Sequence, residues 1–165
     1  MKSIYLAGFD VFRPDARQWG ETLKDLCSKY GFRGLYPLDN QAPRNLSGPE
    51  LALWIYRANI DLIQQADMVA ANVNAFRGHE PDSGTAFEIG YAAALDKPVW
   101  VYTDDARPLI KQVPAIRAPG SSVYTDTLGY TVEDFGLNLN LMIACSAQVV
   151  IGSVEDCLDE MAEHA

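Results

Sequence analysis

The sequence is poor in the residues from which many enzyme centres are assembled. It has two histidines, His79 and His164, in 165 residues. That is too few for a histidine-based zinc site, and neither fits a Ser–His–Asp arrangement. The three cysteines, Cys27, Cys145 and Cys157, are odd in number and widely spaced. They match no zinc pattern and no disulfide framework, which points to a reducing, cytoplasmic setting. Basic residues are also scarce: 13 Lys and Arg stand against 22 Asp and Glu, for a net charge of −9. No basic run is present, so nucleic acid and anionic membrane surfaces are poor partners. No apolar stretch approaches the roughly 20 residues of a membrane span. The opening "MKSIYLAGFDVF" alternates like a strand and has too short an apolar part for a signal peptide. No G-x-G-x-x-G follows the first strand, and no P-loop occurs.

What is present is a regular alternation of apolar segments. "SIYLAG" (3–8) reads as a strand ending at Gly8. A helix is expected after Pro14, with Leu23, Leu26, Cys27 and Tyr30 on one face and Gly31 beyond its end. "RGLYPL" (33–38) is a second strand and 39–48 a polar loop. Ser47, Pro49 and Glu50 open a helix to about Ala66, with Leu51, Trp54, Ile55, Ala58, Leu62 and Ile63 at helical spacing. Residues 66–73 form a buried type of strand, 84–96 a helix and 97–103 a strand. Residues 104–130, rich in Pro, Gly, Asp and Ser, are expected to be irregular. A helix is expected over 131–147 from an N-cap at Thr131. "QVVIG" then gives the fifth strand, and a last helix starts at the Ser153 cap.

This order predicts an α/β fold: a flavodoxin-like, doubly wound, five-stranded parallel sheet with helices on both faces, in a single domain spanning 1–165. Ligands of such folds sit beyond the carboxyl ends of the strands. Those ends carry "AGFDVF", "LDNQ", "NVNAFRGHEPDSGT" and "YTDDARP", so the unusual polar residues gather on one edge.

Glu88 lies in a small, apolar helix between Phe87 and Ile89. It either complements the helix dipole or serves as a carboxylate nucleophile. Gly84 and Gly90 either allow a ligand close or simply pack. Asp61 either pairs with Arg57 four residues earlier or supplies a second carboxyl group to the edge where Glu88 sits. Glycosidic-bond chemistry uses such a pair. The Tyr5 hydroxyl, near the end of the first strand, is within reach of an edge carboxylate.

The blocks "IYLAGFDVF", "YPLDNQ", "NIDLIQQADMVAANV", "DSGTAFEIGYA" and "GLNLNLM" resemble, in order, the nucleoside 2-deoxyribosyltransferases. The D-x-G-T-x-x-E-x-G-Y-A block is the specific one. The resemblance runs from residue 3 to about 150. It implies a homo-oligomer whose sites are shared between subunits, and a retaining, ping-pong exchange of bases on 2-deoxyribose. By motif position it implies Glu88 as nucleophile, Tyr5 as its orienting residue and Asp61 as proton donor to the base. Asp82 then binds a sugar hydroxyl. Gln41, Phe12 and the Gly8 turn belong to the substrate side, and Asn140 is donated by a neighbouring subunit. The implied partners are 2′-deoxynucleosides and free nucleobases, with no cofactor and no metal. Phe9 departs from the proline often found after the first-strand glycine, which alters the loop near the base.

Two other readings compete. One is an N-glycosidase acting on 2′-deoxynucleoside 5′-monophosphates with water as acceptor. Ser83 and Thr85 suit a phosphate, whereas Asp82 opposes it. The other is a non-catalytic nucleotide-binding or receiver module, but the third strand ends in "NVNAF" with no phosphorylatable Asp.

Overall fold

The structure is a computed structural model that describes residues 1–164. The chain runs through β1 (Ser3–Gly8), a 3₁₀ turn (Phe9–Phe12), α1 (Ala16–Lys29), β2 (Arg33–Leu35), a second 3₁₀ turn (Pro37–Asp39) and α2 (Gly48–Gln65). It continues with β3 (Met68–Asn72), α3 (Ser83–Ala94), β4 (Val99–Thr103), α4 (Leu109–Gln112), β5 (Ala115–Arg117) and β6 (Tyr124–Asp126). It ends with α5 (Leu141–Ala144), β7 (Gln148–Ile151) and α6 (Val154–Glu163). The main sheet has the order β2-β1-β3-β4-β7, and every pairing in it is parallel. This is the doubly wound, flavodoxin-like order expected from the alternation of elements. The sheet's reversal point lies at β1 and β3, where a crevice opens at the carboxyl ends.

Strand alternation divides the core. Ile4 and Leu6 of β1 face α1 and α6, where they meet Leu23, Phe32 and Leu158. Tyr5 and Ala7 face the other way, toward Ile63 of α2 and Ile89 of α3. That period of two decides which side chains of β1 can reach α3.

The caps follow local chemistry. Asp82 accepts from the Thr85 amide at 3.0 Å and starts α3. Ser153 and Asp156 form a capping box on α6. Gly31, with φ +81°, closes α1 in the left-handed region.

One expected element is absent. Residues 131–147 do not form a long helix; only Leu141–Ala144 is helical. Thr131 bridges to Thr125 and extends the β5–β6 hairpin. Gly136 has φ +74°, and neighbouring polar groups take the backbone elsewhere. The Leu137 carbonyl accepts from the Leu109 amide, Asn138 Nδ2 donates to the Asp105 carbonyl, and Gln112 Nε2 donates to the Asn138 carbonyl. The connection over 104–130 is likewise more ordered than its composition suggests, since it holds α4 and the hairpin. β2 is shorter than expected because Pro37 opens a 3₁₀ turn.

Candidate active site

The centre is built where β1 and α3 meet. The alternation in β1 turns the buried Tyr5 ring toward α3, and Glu88 lies one turn after Thr85 on the face of α3 that meets the sheet. The Tyr5 hydroxyl donates to Glu88 Oε1 at 2.6 Å. Asn59 of α2 donates to the same oxygen through Nδ2 at a long 3.5 Å. Burial raises the Glu88 carboxyl to about 7. The Tyr5 hydrogen bond opposes that rise, the Asp82 charge adds to it, and the Asn59 amide lowers it slightly. Burial, and then the Glu88 charge, push the Tyr5 phenol far above its ordinary range, so it stays protonated and donating.

Glu88 opens into a cavity of about 400 Å³ at the carboxyl edge of the sheet. Asp82, Gly84 and Thr85, from the start of α3, line one side with Glu88. Val11, Leu38, Trp54 and Ile55 give it broad apolar walls. Phe12 stands at the rim, 55% exposed, and stacks on Phe76 with ring centroids 5.3 Å apart. Phe9 also stacks on Phe76, with ring centroids 5.0 Å apart, and the Arg77 guanidinium lies over the Phe76 ring. The rim is therefore a stack from two loops. Gly8 has φ +149° and ψ 164°, a region essentially reserved for glycine. A Cβ there would stand 2.8 Å from that of Asn72.

The structure brings Glu88, Asp82, Phe12 and Gly8 to this cavity, holds Tyr5 buried behind Glu88, and leaves three other candidates outside it. Asp61 is exposed and lines an adjoining depression with Arg57 and Gln65, one that shares Asn40, Trp54 and Ala58 with the cavity. It follows Asn59 by two residues, and positions i and i+2 of a helix face different ways. Gln41 is exposed, while its neighbours Asn40 and Ala42 line the cavity. Asn140 caps α5, donates to Glu133 Oε1 at 2.9 Å, and lies in a groove on the far side of α3 beside Ala86 and Gly90.

Two features were not read from the sequence. Asn59 is the residue of α2 that faces Glu88, and its Oδ1 is buried without a partner. The clue was an amide within the apolar stripe of Ile55, Leu62 and Ile63. Asp10 is 6% exposed and accepts from Trp19 Nε1 at 3.0 Å and Asn72 Nδ2 at 2.8 Å. Asn72 and Asn74 continue that chain to Thr103. This network ties the ends of β1, β3 and β4 together beneath the rim.

A larger depression, about 790 Å³, lies at the amino ends of the strands around Lys97, Trp100 and Gln148. It is remote from Glu88 and on the wrong edge of an α/β sheet for a ligand. Among the described residues, no group of three or more His, Cys, Asp or Glu could hold a metal ion, and no helix is long and apolar enough to cross a membrane.

The family model described as Nucleoside 2-deoxyribosyltransferase matches residues 4–142. Among solved structures, a 2-desoxiribosyltransferase from Leishmania mexicana is 36% identical, with 99% of each chain covered and a TM-score of 0.80. A 2-deoxyribosyltransferase from Bacillus psychrosaccharolyticus is 20% identical over 93% of this chain and 88% of that one, with a TM-score of 0.60, a likeness of fold. An uncharacterised protein of Schizosaccharomyces pombe is 32% identical, covering 84% of this chain and 74% of that protein.

Proposed function

This chain belongs to the nucleoside 2-deoxyribosyltransferase family, and we propose that it moves 2-deoxyribosyl from one nucleobase to another through a covalent bond to Glu88. The observation that carries this reading is the 2.6 Å hydrogen bond from Tyr5 to Glu88 at the wall of a base-sized apolar cavity.

In the first half-reaction a Glu88 oxygen bonds to C1′. The C1′–N bond breaks, its electron pair leaves with the base, and the base takes up one proton. In the second half, a ring nitrogen of the incoming base attacks C1′ and loses one proton. The bond to Glu88 breaks and the carboxylate returns. Two displacements retain the configuration at C1′. Tyr5 holds Glu88 in position. Asp82 and the first turn of α3 take a sugar hydroxyl, and the Gly8 turn lets the substrate come close to the backbone. Phe12 and the apolar walls hold the flat base.

The proton-donor role proposed for Asp61 does not suit its exposed position. Gln41 keeps a base-side role only through movement of the loop that holds Asn40. Asn140 serves the cavity of a second copy in this proposal. The exposed Tyr56, Phe87 and Met142 are apolar surface that a second copy would cover.

The test is chromatography of the protein with 2′-deoxyinosine, with and without free adenine. Formation of 2′-deoxyadenosine only when adenine is present, with one deoxyribosyl mass on Glu88 when it is absent, supports the reading. Cleavage of 2′-deoxyinosine 5′-monophosphate alone, with no exchange, overturns it in favour of the hydrolase.

A further inference from the structure

We infer that Arg17 recognises a 6-oxopurine and stabilises it as the leaving base, which makes hypoxanthine and guanine the preferred bases. This rests on the transferase reading of the cavity.

The carboxyl groups that line the cavity are Glu88 and Asp82, both on or at the start of α3. Among the described residues, no carboxylate lines its other side to protonate a departing base directly. Arg17 does line it, together with Leu38 and Asn40. It reaches there from the first turn of α1. The sheet order sets it apart from Glu88: β2, which leads to Leu38, and β3, which leads to α3, lie on opposite sides of β1.

Arg17 is anchored and also free. Nη1 donates to the Leu38 carbonyl oxygen at 3.2 Å, which holds the guanidinium against the loop after β2. Among the described residues it makes no ion pair, so Nε and Nη2 keep their protons for a ligand. Its location does not favour α1. A cation in the first turn faces the positive end of the helix dipole, where Asp or Glu would be preferred. Helix stability therefore gives no reason for an arginine here.

The planar fork of N–H donors matches two adjacent acceptors. O6 and N7 of a 6-oxopurine are such a pair, while adenine offers a donor amino group in place of O6. Thymine pairs its O4 with a methyl group rather than with a ring nitrogen. The same hydrogen bonds strengthen as the base leaves, because the electron pair of the broken C1′–N bond spreads onto O6 and N7. A fixed positive charge then performs the part of the missing acid.

The test compares 2′-deoxyinosine with 2′-deoxyadenosine as donors, with 2,6-diaminopurine as common acceptor, for the wild type, Arg17→Met and Arg17→Lys. In parallel, hypoxanthine and adenine binding is followed by calorimetry. The wild type is expected to favour 2′-deoxyinosine in kcat/KM on the order of tenfold. Arg17→Met is expected to erase most of that ratio and leave 2′-deoxyadenosine within about threefold. Lysine should restore little, because it lacks the fork. Equal use of both donors by the wild type, or equal losses in Arg17→Met, would overturn the inference. With 2′-deoxyinosine 5′-monophosphate assayed as a third donor, a loss confined to it would overturn the inference too, by making Arg17 a phosphate ligand. If no donor turns over, the transferase reading falls. The calorimetry then still decides Arg17: tighter hypoxanthine binding that Arg17→Met abolishes upholds it, and unchanged binding overturns it.

Discussion

Tyr5→Phe isolates the one hydrogen bond on which the site's electrostatics turn. The substitution removes a hydroxyl from a buried ring and leaves the ring's packing in place. The lost contact is a 2.6 Å donation to a carboxylate, and a charge-assisted bond of that kind contributes about 1.5–3 kcal/mol. The bond favours the ionised form of Glu88. Its loss therefore raises the carboxyl from about 7 by roughly one to two units. The Asn59 contact, at 3.5 Å, is too long to compensate. At neutral pH the ionised fraction falls from about half to between roughly 1% and 10%. The assay is kcat/KM against pH with 2′-deoxyinosine as donor, which reports the free enzyme's ionisations. The acid limb is expected to move from about 7 to 8 or above. Activity that recovers on the alkaline side measures the ionisation effect. Any shortfall of the plateau measures the loss of orientation. An acid limb that stays within a few tenths of a unit of the wild type's would refute the reasoning.

Asp82→Asn should move the same limb in the opposite direction. Asparagine still caps α3, while the charge that pushes Glu88 up is gone. A limb that rises or stays put would contradict the placement of that charge. Glu88→Gln should be inactive and, at alkaline pH, more stable than the wild type. A carboxyl raised from 4.5 to about 7 on folding contributes fully below 4.5, and that contribution is lost as pH rises through 7. The variant's advantage should reach about 3 kcal/mol by pH 8 and vanish near pH 4.5. Denaturant melts at both pH values measure it, and a pH-independent difference would sink the idea. Gly20→Ala should destabilise the protein by about 1–3 kcal/mol, because its Cβ would lie 2.4 Å from the Tyr36 ring. An unchanged unfolding midpoint would show that Tyr36 yields.

The fold was legible because each strand and long helix announces itself within its own residues. β1 alternates, α2 carries a stripe, and α6 has its capping box. The region after β4 was not legible, because its backbone is satisfied by partners remote in sequence. Gln112 reaches Asn138, and Leu109 reaches Leu137. No local pattern encodes those pairings, so residues 131–147 read as a longer helix than forms. The site shows the same division. Glu88 stood out as an acid in an apolar helix and Tyr5 by its place near the end of the first strand, whereas Asp82 came from the family resemblance. Asp61 against Asn59 was a question of helical phase within the two-residue span "NID". A carboxylate draws the eye in a sequence. The side chain that meets Glu88 is instead the amide, on the face that also carries Ile55 and Ile63.

The opposing influences on Glu88 make sense only across both half-reactions of the proposed exchange. Attack on C1′ needs the ionised carboxylate, and the bonded Glu88 is an ester with no charge. Release to the second base needs the charge to return to the same oxygens. A fully stabilised carboxylate would leave readily and attack poorly; a desolvated one would attack well and leave poorly. The buried site supplies the second tendency, and Tyr5 supplies the first through a proton that burial keeps on its phenol. Asp82, at the start of the same helix, adds repulsion that the ester form relieves. Under the proposed mechanism, the balance near neutrality would let one residue act as both nucleophile and leaving group, with Tyr5 contributing most in the second half, where negative charge would reappear on Glu88.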